Sequence, residues 1–175
     1  MSRWDDFYEE RMSGGRKDNW FDTAQVCLNG HIITEMAESN PNYKRNFCEE
    51  CGKKTITSCP KCNEKINGYH HITGVIHSGS SKPPSYCPSC GKPYPWTKSK
   101  IDALKELVKE LDEISDDEKK ILSNVDELIV ETPKTELASN RFKKTLHKIS
   151  PESQDMIKKI GINLVCEAAK NLIWG

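Results

Sequence analysis

From residue 99 onward, apolar positions recur at three- and four-residue spacing, and capping signals cut the pattern into four predicted helices. Ser99 precedes a stripe of Ile101, Leu104, Val108 and Leu111. Ser115, Asp116, Asp117 and Glu118 form a capping-box sequence, in which the serine hydroxyl and the glutamate carboxylate each serve the other residue's amide. It opens a second stripe of Ile121, Leu122, Val125, Leu128 and Ile129. Thr132-Pro133 and Ser150-Pro151 each place a hydroxyl before a proline, whose missing N–H is harmless in a first helical turn. These open a third helix turning Leu137, Phe142, Leu146 and Ile149 inward, and a fourth turning Met156, Ile157, Ile160, Leu164, Val165, Ala168 and Leu172 inward. An antiparallel bundle would bury all four stripes.

Upstream the pattern is different. Residues 24–34 and 55–58 read as short strands, and Asn67-Gly68, followed by β-branched and aromatic residues, predicts a hairpin turn. With 35% hydrophobic residues in a chain of 175, and few aliphatics before residue 98, this half cannot bury enough apolar surface to fold unaided. The expected organisation is a flexible tail over 1–22, a β module over 23–97 and a helical domain over 98–175.

Metal ligands supply what the β module lacks. Cys27/His31, Cys48/Cys51, Cys59/Cys62 and Cys87/Cys90 are four closely spaced pairs of soft donors, enough for two tetrahedral zinc ions with structural roles. Tandem sharing gives one site from Cys27, His31, Cys48 and Cys51 and a second from Cys59, Cys62, Cys87 and Cys90, the wiring of two zinc ribbons. Cross-brace sharing, Cys27/His31 with Cys59/Cys62 and Cys48/Cys51 with Cys87/Cys90, is the alternative. The knuckles CEECG and CPSCG end in glycine, which permits the positive φ that turns backbone amides toward sulfur. The segments CLNGHIITEMAESNP, FCEECGKKTITSCPKC and KPPSYCPSCGKPYPWT resemble an uncharacterised bacterial family of double zinc-ribbon proteins over residues 24–97. That resemblance implies the two-ribbon fold and these eight ligands, and no activity. The fold class is therefore α+β, two tandem zinc ribbons followed by a helical bundle.

Catalysis finds no support in the sequence. Each site already counts four protein ligands, whereas a catalytic zinc keeps one position open. No phosphate-binding loop, dinucleotide fingerprint, nucleophile elbow or H-E-x-x-H motif is present. His70 and His71 would point to opposite faces of a strand, so with His77 they make a poor single centre. Cys166 lies among apolar residues and reads as a packing residue.

Recognition is the remaining class. Lys44, Arg45, Lys53, Lys54, Lys61 and Lys65, with Lys82 and the aromatic residues Tyr43, Tyr69 and Tyr86, could pair phosphates and stack bases. The charge of residues 24–97 is only plus three, from eight Lys/Arg against five Asp/Glu, and the whole chain is neutral. A protein partner could instead dock on Ile72, Val75, Ile76, Tyr94 and Trp96, and Trp4, Phe7, Tyr8, Trp20 and Phe21 could order on a partner. Self-association through the C-terminal helices is a further expectation, and Arg141, Lys143, Lys144, His147 and Lys148 form a basic face on the third helix. Paired cysteines and an N-terminal stretch without an apolar core predict a cytoplasmic protein, and the charges in the fourth helix predict no membrane span.

Overall fold

A computed structural model describes residues 19–72 and 82–175. The expectations for Trp4, Phe7, Tyr8, Val75, Ile76 and His77 lie outside the described residues. The chain divides into two compact units, residues 1–92 and 93–175. This boundary falls before the predicted one because Pro95, not Ser99, opens the first helix.

The first unit holds two small antiparallel sheets. Strand β1 (Asn19–Thr23) pairs with β5 (Asn67–Ile72), and β2 (Gln25–Cys27) lies between β3 (Ile32–Thr34) and β4 (Thr55–Ile56). Residues 19–22, read from sequence as the end of a tail, thus belong to a sheet, with Trp20 opposite His71 and Phe21 opposite His70. Both pairs stack at 4.1 Å between ring centroids, and the two histidines serve different partners as strand alternation requires. Asn67-Gly68 is not a turn but the start of β5. Gly68 is required there by close approach: a Cβ would collide with the Glu35 carbonyl oxygen and meet Ala24 N at 2.7 Å. Among the described residues, the apolar core of this unit is Ala24, Val26, Ala37 and Ile66, together with the buried cysteines 27, 48, 59 and 87.

A buried carboxylate ties β1 to the segment that follows β3. Asp22, 1% exposed, accepts hydrogen bonds from the backbone amides of Thr23 (2.6 Å), Glu38 (3.0 Å) and Ser39 (3.2 Å). Burial opposes its ionisation, but the Ser39 side chain and these amides outweigh that and hold its pKa below the usual carboxylate value.

The second unit is helical: α1 (Pro95–Lys109), α2 (Asp116–Ser123), α3 (Asp126–Ile129), α4 (Thr135–Leu146), α5 (Pro151–Gly161) and α6 (Glu167–Trp174). Their inner faces meet in one cluster that includes Leu104, Val108, Leu122, Leu128, Phe142, Leu146, Ile157 and Ile173. The predicted second helix is broken at Asn124, where the chain leaves helical φ/ψ, and the predicted fourth is broken between Gly161 and Glu167. Within the second break the Cys166 amide donates to the Leu128 carbonyl at 2.8 Å. The interruption resets the helical phase, so Ala169 and Ile173 are buried where Ala168 and Leu172 were expected. Leu137 and Met156, also expected inside, are 53% and 44% exposed.

The capping box at Ser115 forms in both directions: the Glu118 amide donates to Ser115 Oγ, and the Ser115 amide donates to Glu118 Oε2 at 2.9 Å. Lys148 pairs with the same carboxylate. The Lys148 ammonium and the Ser115 donors hold the Glu118 pKa down to about 2, against an ordinary value of 4.5. A depressed folded-state pKa means that this contribution is complete above about pH 4.5 and is lost as pH falls toward 2. Glu118→Gln is accordingly expected to flatten the acid limb of helical-unit stability over that window, measured by urea melts followed at 222 nm. An unchanged limb would mean that other carboxylates dominate it.

Candidate metal centres

Four reverse turns build the site, and three repeat one hydrogen-bond pattern. In each C-x2-C knuckle the amide four residues after the first cysteine donates back to that cysteine's carbonyl: Gly52 to Cys48 (2.8 Å), Asn63 to Cys59 (2.9 Å) and Gly91 to Cys87 (2.9 Å). The first cysteine's amide closes the loop onto Lys53 O, Glu64 O or Lys92 O. The residue after the second cysteine takes positive φ each time, 67° at Gly52 and Gly91 and 62° at Asn63. Asparagine tolerates the left-handed region better than most side chains, so CPKCN makes the same turn without glycine.

The first knuckle is one residue tighter. Gly30 N donates to Cys27 O at 2.9 Å and Cys27 N to His31 O at 2.9 Å, with Gly30 at φ 93°. The tighter turn puts His31 just past the left-handed residue, and its imidazole reaches into the cluster through Nδ1, 3.5 Å from Cys48 Sγ. Its Nε2 faces the Glu50 carboxylate at 3.9 Å, a placement that favours the tautomer leaving Nδ1 free to bind a cation.

The side chains gather in tandem. Cys27, His31, Cys48 and Cys51 form one cluster and Cys59, Cys62, Cys87 and Cys90 the other, with all donor atoms of each cluster within 4.8 Å of one another. A tetrahedral ion with ~2.3 Å bonds to sulfur sets its sulfurs about 3.8 Å apart. Cys27 and Cys51 stand 3.8 Å apart, Cys59 and Cys90 3.8 Å, and Cys62 and Cys87 3.5 Å. A disulfide would require about 2.05 Å. Each cluster therefore matches the donor set and the spacing of a four-coordinate metal site.

The surroundings of individual thiols differ within each cluster. Amides of Cys90 and Ser89 bring Cys87 down to about 6. Cys62 is favoured as thiolate by the Glu64 amide, yet desolvation and the nearby sulfurs of Cys87, Cys90 and Cys59 push it up to about 12. Burial likewise raises Cys27, while the Lys53 amide lowers Cys51. With four donors gathered within 4.8 Å of one another, a divalent cation is the natural complement to each set.

The basic residues singled out from sequence separate into two groups. Arg45 is committed: its guanidinium binds Glu49 at 3.1 Å and the carbonyls of Asn42 and Lys44. Lys65 pairs with Glu38 at 2.6 Å. Lys44, Lys53, Lys54 and Lys61 are exposed and form no ion pair among the described residues. Beside them stand two exposed rings, Tyr43 at 61% and Phe47 at 63%. Phe47 was not among the residues singled out from sequence, where no spacing or motif marks its ring as exposed. Among the described residues no helix is long and apolar enough to cross a membrane.

No curated protein and no solved structure matches this chain. A family model described as "Uncharacterized protein conserved in bacteria (DUF2321)" matches residues 20–173, so the likeness extends past the knuckles through the helical unit. The chain, with its two four-donor clusters and its helical second unit, belongs to that bacterial family.

Proposed function

We propose that this is a non-catalytic recognition protein in which two structural zinc ions fold the ribbon unit and present a nucleic-acid-binding surface, with the C-terminal helices forming an antiparallel bundle used in assembly. The observation that carries the reading is the closed donor count, four protein ligands in each cluster at tetrahedral spacing. Such sites supply folding free energy rather than a vacant position for substrate. Zinc suits the sulfur-rich donor sets, three sulfurs and one nitrogen in the first cluster and four sulfurs in the second. Rigid knuckles lower the entropic cost of association, and Lys44, Lys53, Lys54 and Lys61 supply unpaired positive charge around them.

The test is binding of the zinc-loaded protein to single- and double-stranded DNA and RNA across a salt series. Saturable binding that weakens steeply with salt, and that falls in a Lys53→Ala, Lys54→Ala, Lys61→Ala triple variant, is the expected result. No binding at low salt would sink the reading.

A protein adaptor built on the same ribbons is the second reading, favoured by the exposed rings of Phe21, Tyr43 and Phe47 in the ribbon unit. Its affinity would follow apolar substitutions and depend little on salt.

A further inference from the structure

Two open grooves flank the first ribbon, and their charges differ. One, lined by Ile32, Ile33, Tyr43 and Arg45, carries Glu49 and Glu50 on its rim. Arg45 is already engaged by Glu49, and the Glu50 carboxylate, 3.9 Å from His31 Nε2, adds a further negative charge that would repel a phosphate. The other groove, about 480 Å³, is lined by Gln25, Asn46, Phe47, Lys54 and the β4 segment through Ser58, and among the described residues no acidic one lines it. Its volume lies within the ~300–1,000 Å³ range of small-ligand sites.

The walls of this second groove are fixed by hydrogen bonds. Gln25 Nε2 donates to Arg45 O and Thr55 Oγ1, both at 2.9 Å, and Gln25 Oε1 accepts from the Arg45 amide at 2.9 Å. Thr55 N donates to Asn46 O at 3.1 Å. Phe47 and Lys54 form an antiparallel bridge, so their side chains rise on the same face a few ångströms apart. A ring that is 63% exposed, an ammonium across from it with no ion pair among the described residues, and the exposed residue Asn46 therefore sit together on a preorganised base.

We propose that the Phe47–Lys54 groove binds single-stranded nucleic acid, one unpaired base stacking on the Phe47 ring while Lys54 pairs the adjoining phosphate. This rests on the nucleic-acid reading given above and adds to it the strandedness of the ligand and its subsite. Stacking on an exposed ring needs a free base face, which a duplex does not offer, and it tolerates every base because each has a π face. Asn46 can hydrogen-bond a base edge, giving a mild preference among bases.

The experiment is fluorescence anisotropy of labelled oligo-dT, oligo-dA, oligo-U and a DNA duplex with the full-length zinc-loaded protein. Single strands should bind more tightly than duplex. Phe47→Ala should weaken single-strand binding about 5- to 150-fold with no change in salt slope, Phe47→Trp should preserve it, and Lys54→Ala should make the slope shallower by about 0.7. Zinc content equal to wild type guards against a misfolded alanine variant, and the tryptophan variant tests the stack independently.

If Phe47→Ala binds single strands as wild type does while the lysine triple variant fails, the groove is overturned and the broader nucleic-acid reading stands. Tighter duplex binding has the same consequence. No binding of any nucleic acid overturns both, as does capture of an acidic peptide by a protein that ignores every oligonucleotide.

Discussion

Stripping the metal with a strong chelator at neutral pH is expected to unfold the ribbon unit and leave the helical unit standing. Among the described residues the apolar core of the ribbons comes to Ala24, Val26, Ala37 and Ile66, two of them alanine, which cannot offset the entropy of ordering those residues. A structural zinc binds with ~10–16 kcal/mol of apparent free energy, comparable to or above the ~5–15 kcal/mol that stabilises an ordinary domain. The helices bury their own cluster around Leu104, Leu122, Phe142 and Ile157 without any metal ligand among them. Far-UV circular dichroism should therefore keep its helical minimum while amide protection over residues 19–72 collapses. Retained protection there would refute the metal-dependent ribbon.

Serine variants give the same prediction a sharper form. Cys27→Ser combined with Cys48→Ser removes two ligands from one cluster, so one zinc per chain should remain at Cys59, Cys62, Cys87 and Cys90. Cross-brace sharing would place those two cysteines on different ions and lose both. Zinc content by native mass spectrometry distinguishes the outcomes, and zero would overturn the tandem grouping.

The candidate donors and the turns carrying them were legible because a C-x2-C knuckle is local. Its amide-to-carbonyl bonds close within five residues, as from Cys48 to Lys53, and glycine after the second cysteine marks the turn. Pairing the knuckles was harder: both sharing schemes use the same eight residues, and only the tertiary gathering of side chains separates them. Strand β1 was not legible, because its partner β5 lies more than forty residues away and no turn signal links them. In the helical unit the capping box at Ser115 and the Ser150-Pro151 start were plain. The breaks at Asn124 and after Gly161 were hidden because apolar spacing continues across them, so Ala168 and Leu172 were assigned inward on a phase the chain does not keep, whereas Leu137 lies off the stripe of Phe142, Leu146 and Ile149 that the structure does bury.

Asp22 is the residue whose weight the sequence concealed, and Asp22→Ala is expected to destabilise the zinc-loaded ribbon unit by about 3–5 kcal/mol. The carboxylate accepts from three backbone amides, at Thr23, Glu38 and Ser39, and thereby ties β1 to the segment that follows β3. Hydrogen bonds to a charged group contribute roughly 1.5–3 kcal/mol each, and partial rehydration of the freed amides offsets some of that loss. Neighbouring groups depend on the same tie: His71 Nε2 lies 3.5 Å from Asp22 Oδ2, and Glu38, whose amide Asp22 holds, pairs with Lys65 and accepts from Thr23 Oγ1. None of them is a metal ligand, so zinc content should stay at wild type while the melting temperature of the ribbon unit falls by more than about 10 °C. Asp22→Asn keeps the shape but loses the charge and one acceptor, and should fall between alanine and wild type. A loss below about 1 kcal/mol in the alanine variant would show that water satisfies the three amides and that the metal clusters alone hold the sheets together.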